Sequence, residues 1–121
     1  MNIWIRIFSL LTALEFFYIF YLETVAATSE KTSRVFAIPM ETLKEDTVNV
    51  LLKNQGVYNG LIGVLILLAA FIFPSVMAVA ILMLYIIGVA VYGGVSSQPK
   101  IILMQGGLPM ITFILCLAAL M

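Results

Sequence analysis

The chain has 121 residues, 64% of them apolar, and its six basic and six acidic side chains cancel to zero net charge. A soluble domain of this size cannot hide so much apolar surface, whereas a lipid solvent removes the difficulty. Balanced charge without a basic stripe excludes the electrostatic footprint of nucleic-acid binding, and a single cysteine (Cys116) with no histidine excludes an internal disulfide and a cysteine–histidine metal site.

The first predicted span covers residues 3–25. It carries Glu15 near its centre and Glu23 near its end, so its insertion needs an energetic check. An acid at the bilayer midplane costs roughly 2.5–3.5 kcal/mol, and each Leu, Ile, Phe or Val returns roughly 0.3–0.6 kcal/mol. The many apolar residues between Ile3 and Leu22 outweigh Glu15, and the span inserts. A cleaved signal peptide, with Arg6 as its basic region and Val25-Ala26-Ala27 as its cleavage site, is the rival reading. The apolar stretch is long for that role and is interrupted by glutamate.

Residues 27–53 form a hydrophilic loop containing Glu30, Lys31, Arg34, Glu41, Lys44, Glu45, Asp46 and Lys53. Pro39 followed by Met40, Leu43, Val48, Leu51 and Leu52 suggests an amphipathic helix, with Thr42 and Glu45 at capping-box spacing. It lies at the membrane surface or feeds directly into the second span, and the plainer reading is a solvated connector with one helical turn or two. Lys53 and Lys100 then bracket a segment without charge, about twice the roughly 20 residues that one span needs. Phe73-Pro74-Ser75 divides it into spans at about 54–73 and 75–95. Gly93-Gly94 and Ser96-Ser97-Gln98-Pro99 mark the next loop, and the fourth span covers about 100–121. The expected fold is therefore all-α: one membrane domain over 1–121, a polytopic four-helix bundle with a partly helical first loop. Lys31, Arg34, Lys44, Lys53 and Lys100 fall on one side and Arg6 on the other. The positive-inside rule then places both termini outside the cytoplasm of a cell-membrane protein.

In lipid the backbone satisfies itself within each helix, so polar side chains carry the information. Ser9, Thr12, Glu15 and Glu23 share a broad face of the first helix at 100° per residue, with Tyr18 flanking Glu15. Gln55 and Asn59 share a face of the second with Gly63, and Gly56 and Gly60 lie beside them. Tyr85 and Tyr92 align on the third, and Gln105, Pro109, Thr112 and Cys116 form a line on the fourth. Glu23, Asn54, Gln55, Asn59, Tyr92 and Gln105 fall at one depth, with Glu15 deeper. This convergence suggests a polar pocket floored by Glu15, whose ligand-binding candidates are Glu15, Tyr18, Glu23, Gln55, Asn59, Tyr92 and Gln105. The plainer reading makes the amides interhelical hydrogen-bond glue, the tyrosines interface anchors, and Gly56-x-x-x-Gly60 a packing motif. Under it, Glu15 is held by a structural hydrogen bond to Tyr18, Asn59 or another helix.

The stretch from Ala13 through Glu15-Phe16-Phe17-Tyr18 to Glu23, the block Asn54-Gln55-Gly56-Val57-Tyr58-Asn59-Gly60, Val91-Tyr92-Gly93, and Gln105 with Pro109 together resemble domain-of-unknown-function family 1304. This is a family of small bacterial and fungal membrane proteins. The resemblance implies four membrane helices and no established activity, substrate or cofactor. The family pattern has a histidine directly after the first glutamate, where this chain has Phe16, so no imidazole relay beside Glu15 is implied.

Three functions compete. The first is binding or transport of a small lipophilic or cationic ligand, with Glu15 as the key acid. The second is an enzyme acting on a lipid or isoprenoid, with Glu15 and Glu23 as acid and base. The third is a structural or accessory subunit that packs against a larger membrane partner through the glycine faces and the first loop, a homo-oligomer being the other association expected. No metal triad, nucleophile–base pair or phosphate-cradling loop favours the enzyme, and no cofactor is expected. The partners expected are the lipid bilayer and a small lipophilic ligand.

Overall fold

The computed structural model describes residues 1–121 and contains helices and no strand. Helix α1 covers Ile3–Phe20 and is prolonged by a π-helical turn, Tyr21–Val25. Asn2 opens it, its side-chain oxygen accepting from the Ile5 amide at 2.9 Å, as an N-cap does. Two short helices, α2 (Glu30–Phe36) and α3 (Met40–Leu43), occupy the first connection. Helix α4 covers Asp46–Leu67 and is prolonged by a second π-helical turn, Leu68–Ile72, and α5 (Val76–Ser96) and α6 (Lys100–Leu120) complete the chain. With their π turns, the four long segments hold 23, 27, 21 and 21 residues and are long and apolar enough to cross a membrane.

Two local expectations are settled. The second long helix starts at Asp46, so residues 46–53, bounded as loop, are its opening turns and feed directly into the second span. Nothing between Thr47 and Lys53 breaks a helix, and Asp46 in the first turn complements the helix dipole. The Thr42–Glu45 capping box does not form. Helix α3 starts after Pro39 and has ended by Lys44, so the Thr42 carbonyl, not its side chain, receives the Glu45 amide at 3.1 Å.

Each π turn has a local cause. Pro74 has no N–H to continue α4, and the Phe73 and Ser75 amides reach back to Leu68 O and Ala69 O at 2.8 and 2.9 Å. Ser75 then caps α5 by accepting from the Ala78 amide at 3.1 Å. At the end of α1 the Ala26 amide reaches Tyr21 O at 2.8 Å. The Leu22 carbonyl is met by Thr32, whose Oγ1 lies 2.8 Å away and also 2.7 Å from Ala26 O, which accepts the Ser29 amide at 3.1 Å as well.

The chain divides into two compact units. In the unit Leu14–Gly63, α4 turns a glycine face to α1. A Cβ on Gly56 would stand 2.9 Å from Glu23 Cβ and 3.0 Å from the Thr24 nitrogen. On Gly60 it would stand 3.0 Å from Phe20, and on Gly63 2.8 Å from Phe17. Absence of side chains lets the backbones approach this closely, the established use of small residues between membrane helices. Thr24 Oγ1 adds a bond to Lys53 O at 2.9 Å. Below this contact Ala27, Leu43 and Leu52, with Ile38 and Met40 against them, form a small core for the connection. The unit formed by Met1–Ala13 and Val64–Met121 is dominated by α5 packed on α6. Val79, Met83, Ile86 and Ala90 are its buried α5 residues, and Gly106, Pro109, Thr112 and Cys116 those of α6.

Candidate functional site: an amide-clamped carboxylate

Glu23 sits inside the π turn that ends α1 and is fully buried. Isolated π turns inside helices recur at functional sites. This one is tied down from outside, because Thr32 Oγ1 lies against the Leu22 carbonyl of the turn and the Ala26 carbonyl just after it, and Thr32 belongs to the first turn of α2. Ser29 fixes Thr32 in turn, accepting from its amide at 3.2 Å and donating to its hydroxyl at 3.0 Å. Sequence reasoning missed Thr32. The signal was present in Ser29-x-x-Thr32, a helix-start pattern directly after a span.

Both Glu23 oxygens are engaged. Asn59 Nδ2 donates to Oε1 at 2.6 Å and Gln55 Nε2 donates to Oε2 at 2.7 Å. Gln55 and Asn59 lie one turn apart on α4, and the approach at Gly56 between them brings their helix against Glu23. Two N–H donors on two different oxygens is the pattern of an acceptor-only carboxylate. The donor nitrogens face inward, and neither amide oxygen accepts a bond from the protein. Gln55 is exposed and Asn59 half-buried.

Glu15 is treated differently. It is half-buried, and its Oε2 is closed off without a hydrogen-bond partner. The structural bond to Tyr18 or Asn59 does not form: Asn59 is committed to Glu23, and Tyr18 instead lies under the Lys31 ammonium, 5.3 Å from its ring centroid, a cation–π distance. Arg6 Nε and Ser9 Oγ are the other buried side-chain atoms without a partner, both also on α1. Tyr92 and Gln105 belong to the other unit. Tyr92 is 74% exposed and Gln105 half-buried. Of the seven candidates, hydrogen bonds join three: Glu23, Gln55 and Asn59. No group of three or more acidic or cysteine side chains is arranged to hold a metal ion. A groove of about 410 Å³ near Pro74, lined by Leu65, Ala69, Phe73 and Ile81 among others, is apolar throughout.

Four helices of spanning length, one with two acids within its span, give the chain the architecture of a small multi-pass membrane protein. A family described as protein of unknown function (DUF1304) matches residues 10–117, and the chain belongs to it. It is 50% identical over 115 residues to the uncharacterized protein YpaA of Lactococcus lactis subsp. lactis (strain IL1403), which covers 94% of this chain and 97% of that protein. No solved structure matches.

Proposed function

We propose that the protein binds a small lipophilic cation within the membrane, with Glu15 as the group that receives it. One observation carries this reading: Glu15 has a carboxyl oxygen shielded from solvent and unpaired in the fold. An acid inside a spanning helix is expensive and is retained where it faces a partner, and a buried polar atom without a partner calls for one. A lipophilic cation supplies the charge and tolerates the surroundings. Transport of that cation, coupled to a proton on the same carboxyl, is the extension of this reading. The lysine and arginine distribution supports both termini outside the cytoplasm in a cell membrane.

The test is equilibrium binding of tetraphenylphosphonium to the purified protein in detergent. Glu15→Gln keeps the size of the side chain and removes its charge, and should lose binding as completely as Glu15→Leu. Binding equal to wild type in Glu15→Gln sinks the reading.

A further inference from the structure

We infer that Gln55 and Asn59 form a second site, for a primary ammonium group, and that buried Glu23 is the residue that positions them. The inference does not rest on the role proposed for Glu15.

The argument starts from what Glu23 cannot do. It has no exposed surface, and each of its oxygens already accepts an amide N–H, so it offers a ligand no contact. What it does is decide which way two amides face. A primary amide has a donor end and an acceptor end that are interchangeable in shape. With an acceptor-only carboxylate behind them, both NH2 groups turn inward and both carbonyl oxygens are left for the outside. Gln55 is exposed and Asn59 half-buried, and neither oxygen has a partner within the chain. The two residues lie four apart on one helix, so their side chains are neighbours.

A face of two acceptor oxygens backed by a carboxylate selects its ligand by chemistry. It repels anions, because phosphate and carboxylate bring more acceptors. It gives a quaternary ammonium no hydrogen bond, because that group has no N–H. A primary ammonium satisfies it fully, with three N–H donors for two oxygens and a positive charge toward Glu23, whose partners in the fold are neutral amides. The level of the site agrees. Glu23 is in the last turn of the first candidate span, and Gln55 and Asn59 follow the charged Lys53 on α4. A lysine near the end of an apolar stretch carries its charge to the membrane surface, and that surface is where the ammonium of an aminophospholipid and that of a free amphiphilic amine both reside.

Native mass spectrometry of the full chain in detergent tests the site with two matched pairs: dioleoyl phosphatidylethanolamine against dioleoyl phosphatidylcholine, and dodecylamine against dodecyltrimethylammonium. Wild type should retain the primary member over the quaternary one by about ten-fold, the scale of one charge-assisted hydrogen bond. Preference within the lipid pair identifies a headgroup as the source, and preference confined to the amine pair identifies a free amine. Glu23→Gln can donate as well as accept, so it frees the amides to turn. Its preference should fall to near parity while total ligand retention holds, an outcome that a merely structural role would not give. Gln55→Leu alters an exposed residue and keeps the test open should Glu23→Gln fail to fold; it too should lose the preference. Tetraphenylphosphonium carries no N–H, so its binding should be unchanged in both variants, which separates this site from Glu15. Equal retention within both pairs by wild type, or a full preference surviving in Glu23→Gln or Gln55→Leu, overturns the inference.

Discussion

The two carboxylates of α1 lie eight residues apart in sequence, and the fold handles them in opposite ways. Around Glu23 everything is closed: the helix widens into a π turn, Thr32 meets its Leu22 carbonyl, Gly56 admits the neighbouring helix, and two amides take both oxygens. Around Glu15 the helix is regular, and the carboxyl keeps an oxygen without a partner. An acid can be accommodated in a spanning helix by surrounding it with donors, or it can be left under-satisfied. This helix does both. Stability should therefore concentrate at the Glu23 end, and sensitivity to ligand charge at Glu15.

That division can be broken by measuring unfolding in detergent. The largest effect is expected from Glu23→Leu, which removes the acceptor from two amides and should cost about 3 kcal/mol, given the strength of bonds to a charged acceptor. Loss of well under 1 kcal/mol would mean that the clamp contributes little and that the two ends of the helix are equivalent. Gly56→Ala comes next. Its new methyl would meet Glu23 Cβ and the Thr24 backbone, which cannot rotate away, and about 2 kcal/mol should be lost to overpacking. Gly88→Ala is the control on an open surface, with nothing near the added carbon, and should be neutral or slightly stabilising through helix propensity. Thr32→Val removes the hydroxyl that meets Leu22 O and Ala26 O and should cost about 1 kcal/mol. A null result there would show that the turn holds itself.

The sequence made the spans legible because apolar length is a one-dimensional property: uncharged stretches, the Pro74 break and the loop before Lys100 suffice to place four helices. The early start of α4 was hidden because Asp46 and Lys53 read as loop charges, although a helix can carry charge where it leaves the apolar layer. The residues of the clamp were also legible, since Glu23, Gln55 and Asn59 fall at one depth by simple counting. Their pairing was not. Asn59 is also a candidate partner for Glu15 by sequence, and what assigns it to Glu23 is the sliding register of α4 on α1, set where Gly56 meets Thr24 and Gly60 meets Phe20. The π turn was invisible for a related reason. It depends on Thr32, which approaches from a helix beyond the span, and no pattern within Tyr21–Val25 announces it.

The smallest expected change is the sharpest test of the comparison. Glu15→Gln replaces a carboxyl oxygen with an amide nitrogen at a position where the fold makes no hydrogen bond to the side chain, so no native interaction is lost. Its unfolding free energy should stay within about 0.5 kcal/mol of wild type, the range of substitutions that touch no structural feature. The same variant should bind no tetraphenylphosphonium, so stability and binding would part company at one residue. Glu23→Gln should behave in reverse, with measurable loss of stability and unchanged binding of that cation. If Glu15→Gln instead destabilises the protein by as much as Glu23→Gln does, then Glu15 is held by a partner outside this chain or by a rearranged helix face. Its unpaired oxygen would then mark an interface rather than a ligand site.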